Sequence, residues 1–274
     1  MTAWVHAAVQ WPLGVSVTAV VAASAVVSWL AVRLVRRIWP HPAFKENNEL
    51  VGFTYAVYGL IYGVFLAFVI VVSWQRFSDT DQLVMHEATL LSELWRDSLA
   101  FPPAFRDDIH QDLIEYAQSV VDDEWLAMAA RGEAHPHTQA VYERLWALSY
   151  HLNPQTANQG AFLTEFLARM NELGGARRLR ILHSRVEVNG ILWLVLLIGA
   201  VPTVAYPLLF SNKHAWVQVA ITASIMLIVM LGLLVTLFLQ HPFSGGVGIA
   251  PEAFRELLDA FHQRLLAESV SVGS

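Results

Sequence analysis

The chain has 274 residues, 55% of them hydrophobic and only 15% charged, with a formal net charge of −6 and no cysteine. About a quarter of the residues in a soluble globular protein are charged, so the deficit points to a membrane. The absence of cysteine excludes disulfides and thiolate metal sites, and the acidic balance argues against nucleic acid as a partner.

The apolar residues gather in blocks. Residues 13–32 and 50–75 carry no charge, and residues 188–212 and 214–240 carry no Asp, Glu, Lys or Arg. Each block reaches the about 20 residues that a helix needs to cross a hydrocarbon core of ~30 Å. The polar–apolar alternation of a barrel strand is missing. The fold class is read as all-α: a polytopic membrane protein with four transmembrane helices in two hairpins, and a helical soluble domain inserted between spans two and three. The first hairpin covers 1–74, the soluble domain 75–187, the second hairpin 188–240, and a Gly-rich loop with an amphipathic C-terminal helix 241–274. The soluble segment holds 17 Asp and Glu against 10 Arg, so the acidity of the chain resides there. The first residues lack a basic segment before the apolar run, so span one is read as uncleaved.

In chain order, span one is followed by Arg33, Arg36 and Arg37, and a link with Pro40, Pro42 and the polar run 45–49 interrupts the helix. After Trp74 no Gly or Pro occurs until Pro102. Helix two is therefore expected to leave the bilayer unbroken and to stop at Pro102 and Pro103. Further helices are expected over 104–131, stopping at Gly132, over 138–151 after a turn at 133–137, and from Ala161 toward His183 after a polar loop at 153–160. The last should feed span three, where Pro202 and Pro207 are expected to kink or end the helix. After span four, Pro242, Phe243, Ser244 and Gly245 open a membrane-exit loop read as a flexible turn. Pro251 then starts a helix whose Phe254, Leu257, Leu258, Phe261 and Leu265 fall on one face.

Basic residues near the span ends do not fix sidedness. Arg33, Arg36, Arg37, Lys45 and Lys213 stand on one side, against Arg76, Arg177, Arg178, Arg180, Arg185 and Arg255 on the other. Span one alone would put the soluble domain outside.

The most informative pattern is charge where an apolar residue is expected. Glu87 falls in the stripe Thr80, Val84, Leu91 and Leu94; Glu124 continues Ile109, Leu113, Tyr116 and Val120; Arg177 and Arg180 continue Phe162, Phe166, Met170 and Leu173. An ionised group on such a stripe needs a partner, because desolvation costs several kcal/mol. Pairing glutamate with arginine gives either a core ionic network that fixes helix register or a gate lining an ion path. Helix two also shows Gly52, Tyr55, Gly59, Tyr62, Gly63 and Leu66 near one face, which suits a helix-packing seam or a narrow pore in an oligomer. Charge-free spans argue against a proton-coupled pump or a voltage sensor. His135 and His137 lack a third metal ligand in the pattern, and the Asp122 to Glu124 run reads as a solvated acidic face. No serine–histidine–acid or zinc-protease motif is visible, so the chain is read as a non-enzyme without a cofactor.

These features resemble the bestrophin-like domain family of bacterial membrane proteins over nearly the whole chain. The resemblance rests on Asn48, Gly52 and Phe53, on the run 62–74, on Glu87 with Ala88, and on Tyr116 and Glu124 with Trp125. It continues through Asn171 to Leu173, Arg177 to Arg180, Trp193, and Pro242 to Gly245. One departure is Gln240 and His241, where the family commonly has an acidic residue before the Pro-Phe pair. The resemblance implies a remote likeness to bestrophin anion channels. It thus implies a homo-oligomer in the bacterial inner membrane, a cytoplasmic soluble domain, and chloride or another small anion as the ion. The expectation is a channel with a pore lined by helix two and positive potential from Arg177 and Arg180. The rival is a non-conducting scaffold or sensor whose acidic domain binds a protein.

Overall fold

The computed structural model describes residues 11–38, 48–185, 190–210 and 214–272, side chains through residue 267. It is all-α: α1 Leu13–Ile38, α2 Asn48–Ser98, α3 Pro103–Ser119, a π-turn Val120–Glu124, α4 Trp125–Arg131, α5 Pro136–His151, α6 Ala157–Arg185, α7 Gly190–Ala205, a 3-10 turn Tyr206–Leu209, α8 Ala215–Leu239 and α9 Glu252–Val272. Four helical stretches are long and apolar enough to cross a membrane, containing α1, the first part of α2, α7 and α8. The protein is a multi-pass membrane protein with a helical domain between spans two and three.

The chain divides into two compact units. The span unit comprises Met1–Phe77 and Glu187–Gly248, and the helical unit comprises Ser78–Val186 and Ile249–Ser274. The link at Pro40 and Pro42, the passage from α6 toward span three at 186–189, and Lys213 lie outside the described residues.

In the span unit, Tyr62, Leu66 and Val69 of α2 pack with Leu196 of α7 and Val229 and Leu233 of α8. Close approach depends on missing side chains. A Cβ at Gly199 would lie 2.6 Å from Cδ2 of Tyr62, and one at Gly232 would lie 2.7 Å from Cδ2 of Leu66. The tyrosine's polar tip is satisfied by the same helix, since Tyr62 Oη donates to the Leu196 carbonyl at 3.3 Å. Gly199→Val is therefore expected to lower stability by about 1–3 kcal/mol through overpacking; an unchanged melting temperature in detergent would refute this packing. α1 buries Ser16, Ser24, Ser28 and Val32, a small-residue face suited to tight packing on α8. Arg36 Nε donates to Gln218 Oε1 at 3.0 Å, and Gln218 Nε2 donates to the carbonyls of Leu208 and Phe210, each at 3.0 Å. Those carbonyls are left over by the 3-10 turn at Pro207. Pro202, by contrast, is absorbed inside α7.

The loop after span four is a packed turn rather than the flexible one expected. Pro242 and Phe243 are buried, Gly245 has φ of +80°, and Gly248 lies so close to the Pro242 carbonyl that a Cβ would meet it at 3.0 Å.

In the helical unit, α2 ends at Ser98, four residues before Pro102. Ser98 Oγ turns back onto the Trp95 carbonyl at 2.7 Å, and Phe101 N–H closes onto the Ser98 carbonyl at 2.9 Å, so tight turn bonds end the helix first. The expected helix 104–131 is interrupted by the π-turn, in which the Trp125 N–H reaches back to the Val120 carbonyl. Gly132, at φ +64°, ends α4 with its N–H on the Met128 carbonyl. α5 begins two residues before the expected Thr138, because Pro136 suits a first turn. The 153–160 loop is shorter than expected, since α6 begins at Ala157. The core is formed by Leu91, Leu94, Ile109, Leu113, Leu145, Phe166 and Met170, all with no exposed surface. α9 closes it with Phe254 and Phe261, whereas Leu265 stays exposed. Phe162, expected on the buried stripe, is also exposed; on this helix burial of that stripe begins one turn later, at Phe166.

Candidate functional site

The expected glutamates and arginines meet in the middle of the helical unit. Glu87, Glu124 and Arg180 have no exposed surface, and Arg177 is 5% exposed. Arg180 holds Glu87 in a fork, with Nε to Oε2 at 2.6 Å and Nη2 to Oε1 at 3.0 Å, and its Nη2 also reaches Glu124 Oε1 at 2.7 Å. Arg177 forks onto Glu124, with Nε to Oε1 at 3.1 Å and Nη2 to Oε2 at 2.5 Å. Arg180 thus bridges both carboxylates, and two positive charges balance two negative ones. The expected positive potential from Arg177 and Arg180 is cancelled within the quartet.

The surrounding shell was not read from the sequence. Tyr116 Oη donates to Glu87 Oε1 at 2.7 Å. The His135 backbone N–H donates to Glu124 Oε2 at 3.1 Å, and Arg177 Nη1 donates to Gln139 Oε1. Arg180 Nη1 faces Met128 Sδ at 3.2 Å, and the guanidinium sits 5.9 Å from the ring centres of both Trp125 and Phe254. One signal was available: a tyrosine on a buried stripe needs a partner for its hydroxyl. The rest comes from α4, from the start of α5 and from α9, elements that packing rather than the apolar stripes brings together.

Electrostatics follow from this packing. Burial would raise the Glu124 carboxyl, but Arg180 and Arg177 outweigh it and hold it below the usual carboxylate range. Burial and the adjacent Glu87 charge push the Tyr116 phenol well above its ordinary range, so it remains a donor. Burial works against the Arg180 charge, yet Glu87 and Glu124 raise it further above its already high range. These shifts hold Glu124 ionised, Tyr116 protonated and Arg180 charged at physiological pH. The arrangement braces α2, α3 and α6 together with the π-turn.

The other expected residues fall elsewhere. His137 does not pair with His135 as a metal site. Its Nδ1 lies 2.9 Å from Asp123 Oδ2 and its Nε2 3.0 Å from Glu115 Oε1, which raises the imidazole above its ordinary range. Among the described residues no three His, Asp or Glu side chains group as metal ligands. On α2, Tyr62 and Leu66 face the span-unit core, and Tyr55 lies 6.0 Å from the ring of Tyr206. Gly52 faces Phe210, 3.6 Å from where a Cβ would stand, while among the described residues nothing lies within 4 Å of a Cβ at Gly59 or Gly63. At the family departure, Gln240 Oε1 accepts from Trp193 Nε1 at 2.9 Å.

Several solved structures share this fold. A bacterial bestrophin homolog from Klebsiella pneumoniae, crystallised as an isoleucine-to-threonine variant, aligns with a TM-score of 0.65 at 13% identity, covering 91% of this chain and 99% of that one. A tryptophan-to-alanine variant of a bestrophin homolog from the same organism gives 0.63 at 14% identity, with 92% and 97% covered. A membrane protein crystallised as a proline-to-alanine variant gives 0.60 at 14% identity, with 90% and 97% covered. At such identities the likeness is one of fold. No curated protein matches the chain by sequence. Residues 19–254, most of the chain, match the bestrophin-like domain, and the chain belongs to that family.

Proposed function

We propose that this protein is a homo-oligomeric ion channel whose path runs between copies along the span portion of α2. One observation carries the reading. The inward face of α2 is filled, with Tyr62 and Leu66 pressed onto Gly199 and Gly232, whereas Gly59 and Gly63 on its flank meet nothing among the described residues. A path through the interior of one copy would have to displace that core; a path between copies uses a face already open. The fold likeness to bestrophin homologs supports the same reading, and it is the ground for placing the helical unit in the cytoplasm.

The purified protein is expected to give reproducible currents in planar bilayers. A Gly63→Cys variant, in a chain without native cysteine, should fold normally and be blocked by a water-soluble thiol reagent. A well-folded oligomer that stays silent would leave the scaffold reading, with the acidic unit as a protein-binding surface. Currents that ignore the reagent would move the path away from this face. For sidedness, Tyr150→Cys, at a residue 75% exposed, should resist labelling from outside intact cells; labelling would place the unit outside.

Chloride or another small anion is the ion that the family likeness favours. Charge favours a cation instead, because the quartet is neutral and residues 75–187 carry more acid than base. The reversal potential under a salt gradient decides between them. With either sign, Arg177→Gln combined with Glu124→Gln should leave ion selectivity unchanged, since it removes one charge of each sign from the balanced quartet.

A further inference from the structure

The helical unit has an acidic groove with an apolar floor between α2 and α9, of about 620 Å³, lined by Asp81, Val84, Met85, Ala88, Glu256 and Leu257 among others. Met85 is 48% exposed at its mouth. Glu252 on the rim is paired with Arg255 at 2.8 Å, whereas Asp81 and Glu256 make no ion pair among the described residues. Across the unit, α6 presents a complementary face. Leu179 and Leu182 are 47% and 51% exposed; among the described residues Arg178 is exposed without an ion pair, and nothing lies within 4 Å of a Cβ at Gly175. These four residues have the i, i+3, i+4, i+7 spacing of one helix face. Half-exposed leucines and methionine beside unpaired charges of opposite sign are the features of surfaces that meet.

Placement links the two surfaces. α2 and α6 run antiparallel, because Thr80 meets His183 at 2.8 Å and Glu87 meets Arg180 at 2.6 Å. Met85 to Ser92 on α2 therefore stand level with Gly175 to Leu182 on α6. The groove opens on the side of α2 away from Glu87, hence away from α6. A surface and its complement at one level, on opposite flanks of one unit, form a heterologous pair, and repeated rotation about an axis along these helices closes such pairs into a ring.

We infer that the groove between α2 and α9 seats the Gly175–Arg178–Leu179–Leu182 face of α6 from a neighbouring copy of the same chain. Leu182 lies against Met85, and Arg178 lies against Glu256. This rests on the homo-oligomer reading above and assigns the surface by which the helical units join.

The test uses the full-length protein in its membrane. On oxidation, a Met85→Cys/Leu182→Cys double variant should give a ladder of covalent oligomers ending at the ring size. Each single variant alone should give none, and co-expressed single variants should give dimers only, which excludes links within one chain. Arg178→Glu or Glu256→Arg should each reduce this crosslinking, and the two combined should restore it. An intact oligomer by native mass spectrometry without a ladder would overturn the interface while leaving the channel reading standing. A monomer would overturn both. A ladder whose yield ignores the charge reversals would overturn the charge pairing that selects the occupant.

Discussion

Replacing Glu87 by glutamine is expected to destabilise the helical unit by about 3–5 kcal/mol, the cost of leaving a buried charge without its partner. The amide can still accept from Tyr116, but Arg180 then faces a single carboxylate, Glu124, which Arg177 already holds. The buried quartet would carry a net positive charge with no exposed surface at Glu87, Glu124 or Arg180 to solvate it. Thermal or denaturant unfolding in detergent measures the loss, and a change below about 1 kcal/mol would show that water reaches the cluster. A double variant, Glu87→Met with Arg180→Met, separates bracing from gating. Removing both charges together should recover most of the stability, because well-packed apolar side chains replace buried ion pairs at little cost. If the quartet only braces, currents should return with stability. A recovered fold with altered gating would make the cluster a working part of the channel.

Acidification is expected to weaken the helical unit between pH 6.5 and about 4, by about 3 kcal/mol in all, through His110. This imidazole is 3% exposed and stacked on Trp95 at 3.5 Å between ring centres, and Trp95 is stacked in turn on Phe261 at 4.3 Å. Its Nε2 lies 2.9 Å from Ser98 Oγ. Because that hydroxyl donates to the Trp95 carbonyl, the imidazole nitrogen is the donor. Burial disfavours the charged ring and lowers its pKa from 6.5 to about 4; the Trp95 backbone and Asp107 oppose the shift, and Arg106 and Arg264 reinforce it. The unfolded chain therefore takes up this proton at a higher pH than the folded one. Stability from this site is complete above pH 6.5 and falls as pH drops toward 4. His137 has the opposite sign: its raised pKa favours the folded state below 6.5 and that contribution fades as pH rises. It is exposed and therefore a minor partner in the profile. A His110→Phe variant keeps an aromatic ring on Trp95 and removes the titration, so its acid limb should be flat. An unchanged slope in that variant would assign the acid sensitivity elsewhere.

The sequence by itself determined the spans, the soluble insertion, and the four charged residues that had to find partners. It could do so because hydrocarbon tolerates only long apolar helices, and because a charge on an apolar stripe contradicts its surroundings unless it is paired. Both signals are local and periodic. Helix ends were less legible. Ser98 closed α2 before the prolines did, and the π-turn at Val120–Glu124 left no mark in the apolar spacing. Only the tertiary structure decided how the charges divide, with Arg180 bridging Glu87 and Glu124 and Arg177 holding Glu124 alone. It also enlisted Tyr116 and the His135 N–H and split the α2 glycines and aromatics between a filled core face and an open flank. Those outcomes depend on which helices become neighbours, and α2, the π-turn and α6 are brought together from positions 87, 124 and 180 by packing that no short stretch of sequence specifies.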